Sequence, residues 1–554
     1  MHAASRLTLG LGIQHAFFFE TTSSHLFVDS VRQSNWAKNP IGPDGPWNAV
    51  QVSIGFDSLA LFPGHMWQTM VLTSAYYSKN ASTVHCTAGT YSKDKAISDE
   101  LNGVKFKPDA QDLMAGVQIK GKNLDTYFDD CNVVGAVPNC SLALVDDQMM
   151  SYPGGQWYPL FAGCLSLGAP DMHQSYSQQD GSLINATIFP WYLYNHGSMA
   201  SSSFGMHIGS ALSSSRLSGS LSFGGFDKNR ATGDVLTLDG GPSQLVTLTD
   251  ISIDVIKGRS PFGFTKKAGL LASGNSSMPN AGLPVTVDGC SPYLTLPKST
   301  CDSISAHLPL TYNDSLGLFL WKTDDAAFAR LMSSASALAF SFMGTDNTKS
   351  VTIKVPFQHL NLTLEPPLVD SSTSYFPCST GGTGSYVLGR AFLQDAFVAG
   401  NWHRRKWWLA QAPGPNIPNN PDVVVIDPSD VSIRGNSNDW ISSWDRVWAS
   451  LASSGNSSEP PRSSSHPAPA SVLSVGATAG IGAGVGIAAL VLVGILIVWC
   501  WRRRQSQKIA VEGCSSSLTN VETWAQKNTE QVGAAVEVPG SAVGRQQLKA
   551  HELP

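Results

Sequence analysis

Charge is scarce in this chain of 554 residues: only 14% are Asp, Glu, Lys or Arg, and the net charge at pH 7 is -5. With no basic excess there is no electrostatic case for a nucleic-acid partner. Zinc chemistry lacks its ligands, since no Cys-X-X-Cys pair and no histidine cluster occurs, and no cofactor is implied. Long apolar runs are missing except between Val475 and Trp501. The most consequential gap is local: from Ser58 to Lys93 the sequence holds no Asp or Glu. Whatever that stretch builds, it cannot lend a carboxylate to acid–base chemistry.

What is present predicts a topology. The run from Val475 to Trp501 carries no charge and no proline, and it exceeds the roughly 20 residues that cross a bilayer as a helix. Arg502, Arg503 and Arg504 follow it, the expected stop on the cytoplasmic side. One C-terminal transmembrane helix is therefore expected over 475–501, with the lipid bilayer as its partner and a polar, disordered tail over 502–554 inside the cell. The sequons at Asn80, Asn139, Asn185, Asn275, Asn313, Asn361 and Asn456 all precede that segment and none follows it. They are read as glycosylation sites of an ectodomain outside the plasma membrane or another secretory-pathway membrane. Export needs a leader. Either residues 1–20, where Gln14 and His15 interrupt the apolar stretch after Arg6, act as a weak signal peptide, or the leader lies upstream of Met1. Cys86, Cys131, Cys140, Cys164, Cys290, Cys301 and Cys378 precede the membrane, an odd number that leaves at least one thiol without an intrachain partner.

From about Gly45 to Pro413, short alternating or β-branched runs recur between Gly, Ser, Asn and Asp. Val50-Gln51-Val52-Ser53-Ile54, Val246-Thr247-Leu248-Thr249 and Val351-Thr352-Ile353-Lys354-Val355 are examples. Such spacing predicts an all-β region of many short strands. Helices are expected only over Lys298–His307 and Ala326–Leu338. Beyond Pro413, Trp440, Trp444 and Trp448 recur every fourth residue, so a helix would align them in one stripe, which is read as packing back on the β region. Ser453 to Ser471 is Ser/Pro-rich and reads as an extended stalk.

Several stretches, taken in order, resemble the pepsin-like aspartic peptidases, and among them the membrane-anchored or secreted fungal members. Gly45-Pro46-Trp47 leading into Val50–Gly55 is similar to the strand before the first catalytic turn. Gly219-Ser220-Leu221-Ser222-Phe223-Gly224-Gly225-Phe226-Asp227 resembles the end of the first lobe. Thr286 to Pro297, with Cys301 soon after, resembles the second catalytic turn, and Val387-Leu388-Gly389-Arg390-Ala391-Phe392 the late Leu-Gly-X-X-Phe segment. The resemblance implies an all-β bilobal pepsin-like fold with lobes over 45–240 and 241–413, followed by a juxtamembrane segment over 414–474. It also implies a disulfide between Cys301 and Cys378. Cys86, Cys131, Cys140 and Cys164 would then supply two more bridges in any of three arrangements, with Cys290 as the odd one.

In active members of that family each lobe offers an aspartate followed by small residues, and the two carboxylates share a proton. Asp288, in Asp288-Gly289-Cys290-Ser291, stands in the second position, although Cys290 replaces the glycine expected there. In the first lobe the apolar Thr69–Leu72 runs into Thr73-Ser74-Ala75, which puts Thr73 and Ser74 where the partner carboxylate belongs. An earlier register on Pro63-Gly64-His65 lacks a carboxylate equally. Asp57 reads as a turn residue, and Tyr127 as no flap tyrosine. The expectation is a non-catalytic homologue that holds an extended peptide or a wall component in its cleft. The rival is an active endopeptidase with an unconventional dyad, for which His65 is the candidate second group.

Overall fold

Val50, Val52 and Ile54 are buried along β1 (Val50–Ile54) while Gln51 and Ser53 face outward, the period-two pattern of a half-buried strand. Gly55, at φ +54, turns the chain into β2 (Asp57–Pro63), whose residues from Leu59 onward are all buried. β3 (Thr69–Leu72) is buried throughout. With β4 (Asp125–Asn132), β5 (Ala136–Val145) and β6 (Cys164–Leu165), these strands run in the order β5-β3-β6-β2-β1-β4 within an eight-stranded sheet, and a further pairing of β5 with β4 closes them into a ring. The structure is a computed structural model. It describes residues 30–449 apart from 65–66, 77–86, 96–103, 152–154, 179, 242–243, 272–281, 346–347 and 381–384. The expected leader, stalk, membrane segment and tail, with His65, Cys86, Asn80, Asn275 and Asn456, lie outside the described residues. Among the described residues no helix is long and apolar enough to cross a membrane.

β7 (Ser203–His207), β8 (Ser220–Phe223) and β9 (Thr232–Asp239) leave the first lobe for a connecting sheet. The second lobe follows with β10 (Val246–Lys257), β11 (Leu283–Val287), β12 (Leu294–Thr295), β13 (Ala335–Met343), β14 (Ser350–Pro356) and β15 (Val387–Leu388), ordered β14-β13-β10-β11-β15-β12. β16 (Ala396–Asn401) and β17 (Lys406–Gln411) then return to the connecting sheet, which reads β8-β7-β16-β17-β9 with Arg32–Gln33 outside β8. One apolar core runs through both lobes, from Trp47 and Leu142 to Phe340, Phe392 and Trp407.

Helix α1 spans Lys298–Ser305 and α2 spans Ala326–Met332. The expected extension of α2 to Leu338 is corrected: Ser334 Oγ donates to Leu331 O and closes the helix, and Ala335–Leu338 enter β13 between β10 and β14. Two strand partners outweigh the helical preference of the alanines there.

The tryptophan stripe folds back on the second lobe. Trp440, Trp444, Val447 and Trp448 form a buried cluster with Ala335, and Trp444 packs edge-on against His359 at 4.9 Å between ring centroids. The Cys301–Cys378 disulfide ties α1 to the strand Cys378–Ser379 beside β12, across a sequence separation of 77. Replacing both cysteines by serine is expected to lower the unfolding free energy by about 2–4 kcal/mol through a freer unfolded chain, read from urea midpoints with and without reductant.

Candidate active site

In each lobe a two-residue strand lies between a parallel and an antiparallel neighbour. β6 pairs in parallel with β2, Pro63 against Leu165, and antiparallel with β3. β15 pairs in parallel with β11, Val287 against Leu388, and antiparallel with β12. Just past β11, the amide of Asp288 donates to Leu388 O at 3.2 Å; just past β2, the amide of Gly64 donates to Leu165 O at 3.0 Å. The same bond at the same place makes Gly64 the counterpart of Asp288. The two also face each other, since a Cβ on Gly64 would lie 3.4 Å from Asp288 Oδ1.

This corrects the placement of the partner position at Thr73 and Ser74. Thr73 follows β3 on the far side of β6, where its Oγ1 donates to Asp146 Oδ1 at 2.6 Å. Ser74 follows it at the surface. The earlier register, on Pro63-Gly64-His65, is the one that meets Asp288. Asp57 opens β2 directly after the β1–β2 turn, paired with Ile54, and accepts from the Ser92 amide at 2.7 Å. Tyr127 lies in β4 with Lys93 Nζ over its ring at 5.4 Å.

The space beside Gly64 is filled by sulfur. Cys290 is bonded to Cys164, so it is not the odd cysteine, and the bridge joins β6 of the first lobe to the turn that carries Asp288. A Cβ on Gly64 would overlap Cys290 Sγ, and one on Gly289 would overlap Pro63 O. The turns approach so closely that neither glycine has room for a side chain. Cys131 and Cys140 carry free, buried thiols.

Asp288 is 1% exposed. Its Oδ1 accepts from the Cys290 amide at 3.0 Å. Its neighbour in charge is Arg390, at the start of α3 (Arg390–Leu393), which is fully buried and donates to Gly289 O at 3.0 Å and Cys290 O at 2.8 Å. The guanidinium rests 3.7 Å from the centre of the Phe62 ring and 5.1 Å from that of Trp47. Burial lowers the Arg390 pKa, while Asp44, Tyr375, Tyr293 and Asp288 pull it back up. Above the turn, Ser291 Oγ donates to Ala115 O and Thr295 Oγ1 donates to Gly116 O at 2.9 Å, so first-lobe backbone is laid over the second-lobe turn. Among the described residues, the position opposite Asp288 is Gly64, which has no side chain to exchange a proton.

Sequence reasoning missed Arg390, whose signal was a lone charge inside the apolar Val387–Leu393 segment. It also missed a buried polar cluster behind the site. Ser215 Oγ lies 2.8 Å from His359 Nε2, and His359 Nδ1 lies 2.7 Å from Asp395 Oδ2. That is the bonding order of a nucleophile relay, but all three residues are at most 2% exposed and Trp444 packs on the histidine, so no substrate reaches Ser215. Beside it His207 Nε2 meets Gln394 O at 2.7 Å, and burial, with help from Arg230, pushes its pKa down to about 3.

The sequons differ in access. Asn185 is exposed and its carbonyl accepts from Asn139 Nδ2 at 2.6 Å. Asn313 Oδ1 accepts from the Leu316 amide at 3.0 Å, and Asn361 Oδ1 is buried.

A family model described as eukaryotic aspartyl protease matches residues 136–412, half of the chain. The chain belongs to the eukaryotic aspartyl protease family. The matched span includes Asp288 and leaves out the Gly64 turn. An acid protease of Saccharomycopsis fibuligera is 28% identical over 240 residues, 43% of this chain and 53% of that protein. The chain thus spans about half the length of the curated relative it matches. The crystal structure of an aspartic proteinase from Irpex lacteus superposes with a TM-score of 0.41 at 13% identity, covering 70% of this chain and 98% of that one. The mostly-β fold and the disulfides accord with membership of the aspartyl protease family.

Proposed function

We propose that this chain is a non-catalytic member of the aspartyl protease family, displayed as the glycosylated ectodomain of a single-pass surface protein. The observation that carries the reading is the pair of turns: Gly64 faces Asp288, and the Cys164–Cys290 sulfurs fill the place of the missing carboxylate. The anchor over 475–501, the sequons ahead of it and the arginines behind it supply the topology. The outer part of the interlobe cleft would hold an extended peptide or wall component, with Asp288 serving the structure of its floor.

A second reading, a structural surface glycoprotein with an empty cleft, is favoured by the closure of that floor by Ala115 and Gly116. The two share the loss of catalysis and part on binding. Full-length protein in detergent, titrated by calorimetry with pepstatin from pH 3 to 7, is expected to give no heat of binding, because the inhibitor's hydroxyl needs both carboxylates. Tight binding that Asp288→Asn abolishes would restore the active rival. A peptide library retained by the same sample supports the binding role, and none retained supports the structural one.

A further inference from the structure

Cys131 and Cys140 sit on the β4–β5 hairpin, where the ladder slips between the pairs Asp129–Cys140 and Cys131–Val137. Cys131 lies two residues beyond Asp129 and so on the same face of β4, and Cys140 stands directly opposite Asp129. The two cysteines are therefore diagonal neighbours on one face. Asn139, held at φ +58, and Pro138 form the bulge that crowds them. The Cys140 thiol donates to the carbonyl of Val137, the residue paired with Cys131, at 3.7 Å, and both cysteines are buried, at 6% and 7% exposure. The other described cysteines are already paired, Cys164 with Cys290 and Cys301 with Cys378.

We propose that Cys131 and Cys140 are a modification site that closes as a third disulfide, made by exchange with an oxidised dithiol. A thiolate of the pair attacks the dithiol's S–S bond and forms a mixed disulfide, and the second thiolate then displaces the carrier. One S–S bond forms, one breaks, and the carrier leaves with the pair's two electrons and two protons. Closure belongs before the first lobe packs. In the folded chain the contact with Cys140, burial and the nearby Asp129 and Asp130 all disfavour the Cys131 thiolate, the species that attacks. The same surroundings make the closed bridge inert to outside thiols.

The test uses the full chain isolated from exporting eukaryotic cells. It is denatured in acid with an alkylating agent and no reductant, then cleaved before aspartates and deglycosylated. The peptide Asp130–Val145 carries both cysteines and no other. The expected peptide is lighter than the dithiol form by two hydrogens and takes up no label. Label on both residues, or a link from either to another cysteine, overturns the proposal. Cys301 and Cys378 in the same digest separate the causes, since the site depends on the exported-ectodomain reading. If they are bridged while Cys131 and Cys140 are labelled, only the new pair fails; if they too are labelled, the export reading falls with it.

Discussion

Replacing Arg390 by methionine is expected to destabilise the protein by about 3–5 kcal/mol, the usual result of stripping one partner from a buried charge. The side chain is fully enclosed, and it donates to the carbonyls of Gly289 and Cys290 in the turn that carries Asp288. Methionine keeps most of the volume against Phe62 and Trp47 but leaves the carbonyls of Gly289 and Cys290 without this donor and removes the positive charge that Asp44 and Asp288 face. The double variant Arg390→Met, Asp288→Asn is then expected to recover part of the loss, which marks a charge effect rather than a packing effect. Urea unfolding of the single and double variants reads it. Equal losses in the two would show that Asp288 and Arg390 are not coupled.

The second large effect is acid sensitivity. His207 is fully buried with a folded pKa near 3, set first by burial and then by Arg230. The unfolded chain binds a proton on this residue near pH 6.5, and the folded chain does not until about pH 3. Its stabilising contribution is thus whole above pH 6.5 and is lost as the pH falls through that window, on the order of 5 kcal/mol in all. The variant His207→Gln keeps a donor for Gln394 O and removes the titration. It is expected to be flatter in unfolding free energy between pH 7 and 4 than the native chain, by denaturant titration at each pH. Parallel curves would mean that His207 does not set the acid limit.

The strands were largely legible because their burial alternates: Val50–Ile54 and Ser350–Pro356 show the period-two pattern directly. Asp288 was legible because Val287 and Gly289 flank it and Cys301 follows at the family's spacing. The first turn was not, for a physical reason. Leu59–Pro63 and Thr69–Leu72 are both continuous buried runs, so hydropathy does not say which of them ends at the cleft. With no carboxylate to mark the turn, only the parallel pairing of Pro63 with Leu165 decides, and that contact spans a hundred residues of sequence. The bridge from Cys164 to Cys290 was hidden likewise, since it crosses between lobes that the cysteine count treats separately. His359 and Asp395 meet across a sequence separation of 36 residues, and Trp444 covers the histidine.

The central claim is that these turns no longer cut peptides. The most direct measurement is cleavage of a mixed peptide library by the full-length protein from pH 3 to 7, with Asp288→Asn assayed beside it. No cleavage above that variant at any pH is the predicted result. Cleavage that pepstatin blocks and the substitution abolishes would contradict it.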